Sequence, residues 1–256
     1  MRKPATTKLN PIFVDHINFQ AAAQELKSHQ RARHQSPTWW VVKRELNKRY
    51  WRIHRRANTL FKRSLDIAAA GLALIGLSPI IISTIIAIRL ESPGNVFFKQ
   101  ERIGKNGNPF NMWKFRSMYI DAEERKQALM EQNEMSGGVL FKMKNDPRIT
   151  RVGKFIRKFS IDELPQLWNV LRGDMSIVGP RPAIRSEVEQ YNMLERQRLV
   201  AKPGITCIWQ VSGRSDIPFE KQVELDRRYI SETSMSTDIK LMLLTVPAVI
   251  TAKGAY

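Results

Sequence analysis

The chain has 256 residues, of which 43% are hydrophobic, and 42 lysines and arginines against 24 aspartates and glutamates give it a formal net charge of +18. A chain of this length can bury the core of one ordinary domain with an appendage, and its charge indicates polyanions or anionic surfaces as partners. The single cysteine, Cys207, excludes an intrachain disulfide and indicates a reducing, cytosol-facing compartment. All four histidines lie in the first quarter, which excludes Ser-His, Cys-His and zinc sites from the remaining chain.

The first 60 residues are predicted to form a basic, aromatic extension that lies on a membrane surface or is partly disordered. Residues 1–63 hold 15 lysines and arginines but only three acidic residues. Between Thr38 and Leu65, tryptophan and phenylalanine alternate with basic side chains, as in an amphipathic helix that lies on anionic lipid headgroups. A nucleic-acid-binding arm is the alternative, and the membrane interpretation is favoured because a membrane element follows directly.

That membrane element is predicted over residues 61–92. Ile67–Ile88 is a run of 22 residues without a charge, which at about 1.5 Å per residue is just long enough to cross a bilayer as one helix. Ser78-Pro79 lies at the centre of the run, where proline bends or breaks a helix because it lacks a backbone donor. Basic residues flank both ends and favour placing both on the cytoplasmic side: Lys62, Arg63, Arg89, Lys99 and Arg102. A re-entrant helical hairpin is therefore the favoured interpretation, and a single spanning helix is the alternative.

Residues 93–256 are predicted to form a cytoplasmic catalytic domain with interfacial helices. Asn106-Gly107 predicts a tight β-hairpin turn, because both positions tolerate a positive φ. The C-terminal apolar run, interrupted by Pro247, is predicted to lie at the membrane interface or to pack on the core. The fold class is thus α+β, predominantly helical with a small β-hairpin. The predicted strands are Val96–Ile103 and Pro109–Met118. The predicted helices are Asp121–Gln132, Ile149–Phe159 and Ser186–Val200, and Gly137-Gly138 breaks the chain after the first of them. The apolar run is Ile239–Ile250.

The adjacent carboxylates Asp162 and Glu163 are the centre of the predicted site. Ser160 before them and Pro165 after them predict a helix that starts near Ser160 and carries both in its first turn. In that position they could simply complement the helix dipole. Four arginines nearby supply guanidinium groups that match phosphate oxygens: Arg148, Arg157, Arg172 and Arg181. A carboxylate beside such groups can also attack a phosphorus centre and form a mixed anhydride, so both interpretations stand.

Common phosphate and nucleophile motifs are absent from the sequence: it has no GxxxxGK[ST], GxGxxG, GxSxG or Asp-x-Asp. Over residues 61–256 the chain instead resembles the bacterial sugar transferases known as monotopic phosphoglycosyl transferases, or polyprenyl glycosylphosphotransferases. The motifs that carry this resemblance are KRSLDI before the Ser-Pro-containing apolar segment, KQERIGKNGNPFNMWKFRSM, DPRITRVGKFIRKFSIDELPQLWNVLRGDMSIVGPRP and KPGITCIWQVSGR.

The resemblance implies transfer of a sugar 1-phosphate from a UDP-sugar to a polyprenyl phosphate, with release of UMP. Undecaprenyl phosphate is the polyprenyl phosphate expected. Asp162 would be the covalent nucleophile, and Glu163 would support metal or proton handling. Arg157 and Arg181 would contact phosphate. Further substrate or phosphate contacts are expected, with less defined roles, at Lys114, Arg116, Gln166 and Arg214; Gly204 also lies in a matching motif. Cys207 and Ile208 depart from the residues that many relatives carry in the substrate loop.

The resemblance also implies a cofactor, a location and partners. Magnesium, or manganese, would bind at Asp162 and Glu163. The re-entrant hairpin at Ser78-Pro79 would hold the protein in the bacterial inner membrane with its site on the cytoplasmic face. Expected partners are a UDP-hexose, polyprenyl phosphate, anionic lipid headgroups, other enzymes of exopolysaccharide, capsule or O-antigen assembly and a second copy in a homodimer, whereas nucleic acid is not expected.

Two other functions compete with this interpretation. A basic membrane-tethered module could dock nucleic acid or acidic lipid through residues 1–63, but it leaves the carboxylate pair unexplained. An inactive scaffold of a polysaccharide assembly complex would retain the fold without the chemistry. The sequence is compatible with glucose, galactose and their N-acetylated or modified relatives as the transferred sugar.

Overall fold

The structure of the protein is a computed structural model that describes residue 24 and residues 38–122, 124–125 and 146–251. The chain forms two compact units, Met1–Asn58 and Thr59–Tyr256. The described part of the first unit is helical from residue 38 onward. Most of the predicted helix Asp121–Gln132 and the Gly137-Gly138 break lie outside the described residues, as does most of the N-terminal extension.

The predicted break in the apolar segment is present. Helix α1 (Thr38–Gly76) ends just before Leu77, and helix α2 (Ser78–Glu91) continues at a bend of 60°. Proline lacks a donor for the preceding turn, and the Ser78 hydroxyl donates to the Ile75 carbonyl (2.7 Å) at the bend. Within the described ranges no single helix is long and apolar enough to cross a bilayer, although residues 57–91 meet that test as a bent pair by length and composition.

Charged residues of α1 attach it to the rest of the second unit. The Lys62 ammonium donates to Asp238 Oδ2 (2.6 Å), and Arg63 donates to the carbonyls at the end of a short helix described below. The buried Asp66 carboxylate accepts from Ser176 Oγ and from the Ile177 backbone N–H, both at 3.0 Å. Lys62 and Arg63 therefore bind protein acceptors, and their role in orienting the apolar segment stays a prediction.

The β-hairpin is confirmed. Strands β1 (Phe97–Ile103) and β2 (Pro109–Phe115) pair antiparallel, with Phe97 opposite Phe115 and Ile103 opposite Pro109. The turn residues Asn106 and Gly107 have φ values of 60° and 81°, as the sequence requires. The second strand ends earlier than predicted, and Met118 forms an isolated bridge with Ile149.

The helix predicted at Ile149–Phe159 is α3 (Arg151–Lys158). Two side chains satisfy its first backbone donors: Thr150 Oγ1 accepts from the Gly153 N–H, and the Glu91 carboxylate at the end of α2 accepts from the two N–H groups that begin the helix. A Cβ on Gly153 would lie 2.0 Å from the Ser117 carbonyl oxygen. Glycine therefore allows α3 to pack directly on the chain that leaves the hairpin.

The elements after α3 differ most from the prediction. A two-stranded parallel sheet, β3 (Ser176–Val178) with β4 (Gly204–Thr206), was not predicted, because three-residue strands carry almost no periodicity. The single helix predicted at Ser186–Val200 is wrong: Asn192 Oδ1 accepts from the N–H groups of Leu194 and Glu195 and interrupts it. The observed helices are α4 (Gln166–Arg172), α5 (Arg185–Gln190), a 3-10 turn (Glu195–Val200), α6 (Ile208–Ser212), α7 (Phe219–Ser231) and α8 (Met235–Thr251).

The last helix, α8, continues through Pro247, so the predicted interruption there is wrong. One face of α8 packs on the core through Leu241 and Asp238, and the opposite face is exposed at Leu243, Val246 and Ile250. The main core lies between the second half of α1, the hairpin, α4 and β3, with Ala70, Met112, Leu167, Val170 and Met175 buried in it. This core holds β2 and α4 beside the turn that carries the two carboxylates.

Candidate active site

Asp162 and Glu163 lie in a 3-10 turn, Ile161–Glu163, between α3 and α4. Ser160 has a left-handed backbone (φ 55°) and its side chain makes no capping hydrogen bond, so the predicted helix start at Ser160 is wrong. The helix begins instead at Gln166, after Pro165. The left-handed residue Ser160 therefore separates α3 from this turn, and both carboxylates precede α4 rather than forming part of its first turn.

Lys114 of β2 joins the two carboxylates. Its ammonium lies 2.8 Å from Glu163 Oε1 and 3.9 Å from Asp162 Oδ2. All three side chains are largely buried, with exposed fractions of 17% for Lys114, 12% for Asp162 and 22% for Glu163. Because two neighbouring carboxylates repel each other when buried, the ammonium beside them favours the ionised form of both.

The two carboxylates nevertheless differ in their acidity. Burial raises the pKa of Asp162 to about 6, although Lys114 and Arg157 oppose that rise. Burial would also raise the pKa of Glu163, but Lys114, Arg181 and Arg102 outweigh it and hold that pKa well below its usual range. Asp162 is therefore the more basic carboxylate of the pair, and Glu163 stays ionised.

A cleft opens beside Glu163 and brings together residues that are distant in the sequence. Four of the predicted site residues line it, namely Lys114, Glu163, Gln166 and Arg181. Asp162 adjoins this group through Lys114, and Arg214 is close enough for Glu163 to stabilise its charge. The cleft thus collects cations around two carboxylates, an arrangement suited to a phosphate-bearing ligand together with a nucleophile or a metal ion.

Other predicted arginines lie elsewhere. Arg116 donates to the carbonyls of Ser92 and Pro93 and to the Ser92 hydroxyl, so it fixes the chain that leaves α2. Arg148 forms a buried bidentate pair with Asp146, at 2.6 Å between Nη2 and Oδ2. The contacts of Arg116 with Ser92 and Pro93, and of Arg148 with Asp146, do not involve the carboxylate pair. An anion contact by Arg116 stays a prediction.

Arg102 is the cleft residue that the sequence interpretation missed. The sequence predicts it as a basic flank of the membrane element, yet its side chain is buried on β1 and lines the cleft with Glu163 and Arg181. The available signal was its position in the KQERIG motif, immediately before the hairpin turn. A backbone hydrogen bond from Ile103 to Ala183 (2.8 Å) brings the end of β1 against the loop that carries Arg181.

Two further motif residues have structural roles here. A Cβ on Gly204 would lie 2.1 Å from the Gly179 backbone nitrogen, so glycine permits the close pairing of β4 with the Gly179-Pro180 segment. Cys207 is fully buried, and its thiol contacts Gln210 Oε1 at 3.2 Å. The departure at Cys207 therefore lies behind the cleft wall, to which Gln210 contributes.

Asp162 and Glu163 are the residues best suited to a divalent cation. Within the described ranges, no group of three or more His, Cys, Asp or Glu side chains converges on a metal position. Magnesium commonly binds one or two carboxylates and completes its coordination with waters and substrate phosphate oxygens. The two carboxylates therefore fit a divalent cation that is also bound by the phosphate oxygens of a ligand.

Comparison with known proteins gives the family. Residues 57–252 match the family described as bacterial sugar transferase. The galactosyl transferase CpsE of Streptococcus agalactiae serotype III is 47% identical over 205 residues, which are 80% of this chain and 45% of that protein. The undecaprenyl-phosphate galactose phosphotransferase of Salmonella typhimurium is 40% identical over 207 residues, covering 80% of this chain and 43% of that protein. The exopolysaccharide production protein ExoY of Sinorhizobium fredii is 39% identical over 198 residues, covering 76% of this chain and 88% of that protein.

The chain thus spans less than half the length of the first two relatives and most of the third. The match includes the bent helix pair, the hairpin and the whole carboxylate-bearing cleft. The chain belongs to the bacterial sugar transferase family.

Proposed function

We propose that this protein transfers a sugar 1-phosphate from a UDP-hexose to undecaprenyl phosphate or another polyprenyl phosphate, releases UMP, and so initiates assembly of an exopolysaccharide, capsule or O-antigen type glycan. The observation that carries the proposal is the carboxylate pair bridged by Lys114 beside a cleft lined by Arg102 and Arg181. The name of the Salmonella relative, undecaprenyl-phosphate galactose phosphotransferase, supports the same class of reaction.

In the proposed first step, Asp162 attacks the sugar-bearing phosphorus of the UDP-hexose. A bond forms between a carboxylate oxygen and that phosphorus, and the bond from phosphorus to the bridging oxygen breaks, so that UMP leaves with the electron pair. The raised pKa of Asp162 makes its ionised carboxylate a better nucleophile than an exposed one, while Lys114 preserves the charge. Arg157, which acts on Asp162, and Arg181, which acts on Glu163, would stabilise the phosphate charge.

In the proposed second step, an oxygen of the polyprenyl phosphate attacks the same phosphorus, and the bond to Asp162 breaks. The product is a polyprenyl diphosphate sugar, and the Asp162 carboxylate is regenerated without an oxidant or a reductant. Magnesium or manganese, held by Asp162 and Glu163, would neutralise charge on the diphosphate. Glu163 suits this role because its low pKa keeps it ionised while its neighbour reacts.

We infer that α1 and α2 form a re-entrant hairpin in the bacterial inner membrane, with the site on the cytoplasmic face. The 60° bend and the exposed apolar side chains of α2, among them Ile82, Ile86 and Leu90, support insertion into the apolar layer. The attachment of Lys62 to Asp238 and of Asp66 to β3 would hold the cleft at a constant height above the bilayer. A soluble sugar nucleotide and a lipid phosphate could then reach one nucleophile.

A labelling experiment tests the proposal. Purified full-length protein with radiolabelled UDP-hexose and magnesium is expected to release UMP and to retain one labelled phosphosugar per chain. Asp162→Asn should abolish both, because an amide is a poor nucleophile, whereas Asp121→Asn, at an exposed aspartate paired with Arg125, should change neither. Adduct and UMP release in Asp162→Asn would disprove this nucleophile. An inactive scaffold would release no UMP from any member of a UDP-sugar panel.

A further inference from the structure

Arg102 carries a positive charge that the protein itself does not neutralise well. Its side chain is 8% exposed, and its two hydrogen bonds go to neutral acceptors, the Pro182 carbonyl (3.2 Å) and Gln100 Oε1 (2.7 Å). Its Nε is buried without a hydrogen-bond partner among the described residues. Burial and the neighbouring Arg181 lower its pKa to about 10, despite the opposing effect of Glu163 and Glu187. A buried charge of this kind is costly unless an anion completes its environment.

The cations around the cleft differ in which of the two carboxylates they act on. Arg102 and Arg181 line the cleft together with Glu163. Both also favour the ionised form of Glu163, whereas Arg157 favours that of Asp162. Lys114 lies between the two carboxylates and contacts both. A diphosphate placed along this line would have its reacting phosphorus at the Asp162 end and its second phosphate at the Glu163 end, next to Arg102 and Arg181.

On the basis of the function proposed above, we propose that Arg102, together with Arg181, binds the phosphate of the leaving nucleoside monophosphate at the Glu163 end of the cleft. When the bond to the bridging oxygen breaks, the leaving phosphate gains negative charge, and the buried guanidinium is placed to neutralise it. Through its hydrogen bond to Pro182, Arg102 also holds the loop that presents Arg181. The binding of the leaving group therefore rests on two guanidinium groups that come from neighbouring segments of the cleft lining, β1 and the loop after β3.

The test uses binding of UMP and of uridine to the full chain in detergent, with uridine measured by competition. Arg102→Gln should weaken UMP binding by about tenfold to hundredfold, the loss expected for one charge-assisted hydrogen bond, and leave uridine binding unchanged. Arg102→Lys keeps the charge but not the planar fork and should lose about threefold to tenfold. The control is Arg185→Gln. Arg185 is exposed and pairs with Glu101, the residue before Arg102 on β1, and the UMP affinity of this variant should stay within twofold of the parent.

Several outcomes overturn the inference. UMP affinity within twofold of the parent in either folded Arg102 variant would exclude the contact, and Arg102→Lys decides the matter if Arg102→Gln does not fold. Equal losses of UMP and uridine affinity would show a structural role instead. If the parent forms the Asp162 adduct while the variants keep their UMP affinity, only the role of Arg102 fails. A parent that forms no adduct and binds no UMP refutes the proposed function and this inference together.

Discussion

Replacing Lys114 with methionine should move the pH dependence of the first chemical step. The variant keeps most of the apolar volume of the side chain but removes the cation that lies 3.9 Å from Asp162 and 2.8 Å from Glu163. Two adjacent buried carboxylates would then face each other without the ammonium. Asp162, with the higher pKa, is expected to be the one that takes up a proton.

The magnitude follows from the geometry. At an effective dielectric constant of about 20, the attraction across 3.9 Å is about 4 kcal/mol, and partial exposure and repulsion within the site reduce it. Opposite charges at such distances typically change a pKa by about 1–3 units, so the pKa of Asp162 should rise from about 6 toward about 7–9. If the rise is about 2 units, the ionised fraction at pH 7 falls about tenfold.

The assay is the initial rate of phosphosugar adduct formation between pH 5 and 9 at several magnesium concentrations, because a cation held by Asp162 and Glu163 competes with protons there. In the parent the rate should rise with pH and then level off, with a midpoint near 6 after extrapolation to zero magnesium, because only the ionised carboxylate attacks. In Lys114→Met this rise should occur at higher pH. Lys99→Met is the matched control, since Lys99 lies on the facing strand and packs over the Trp113 ring (4.3 Å) instead of the carboxylates. A rise at the same pH in all three proteins would refute the electrostatic role of Lys114.

Three further predictions concern stability and topology. Asp66→Ala should lower the free energy of unfolding by about 1–3 kcal/mol, because it leaves the buried Ser176 hydroxyl and the partly buried Ile177 N–H without their acceptor, and Asp66→Asn should lower it less; denaturant titration checks both. Gly153→Ala should lower the free energy of unfolding by about 1–3 kcal/mol because its Cβ would meet a backbone oxygen. Gly71→Ala, which has open space in α1, should be neutral or stabilising, and thermal unfolding of both variants checks the difference. Replacing Ser78-Pro79 with two alanines should straighten the bent pair and break the contacts of Lys62 and Asp66 with the rest of the second unit. A cysteine introduced by Ala57→Cys should then become reactive toward an impermeant maleimide in intact cells. Reactivity already present in the parent would contradict the re-entrant hairpin.

Local chemistry explains which elements could be predicted from the sequence. Asn106-Gly107 specifies the hairpin turn because few residues accept two successive positive φ values, and Pro79 specifies the bend because it lacks a backbone donor. The interruption of the helix predicted at Ser186–Val200 was missed because the Asn192 side chain captures two backbone N–H groups that a helical pattern assigns to the helix. The interruption predicted at Pro247 is wrong because α8 continues through this proline as a helix of 17 residues.

The sequence by itself predicted the adjacent carboxylates Asp162 and Glu163 as the centre of the site and the break in the apolar segment at Ser78-Pro79, because each depends on residues adjacent in the chain. Only the tertiary structure decided which cations surround Asp162 and Glu163. Lys114 comes from β2, Arg181 from a loop, and Arg102 from β1, and they meet because the hairpin pairs its strands and Ile103 bonds to Ala183. Coulomb interactions depend on distance in space, so the charge balance of the cleft, and the different pKa values of its two carboxylates, follow from contacts that sequence spacing does not contain.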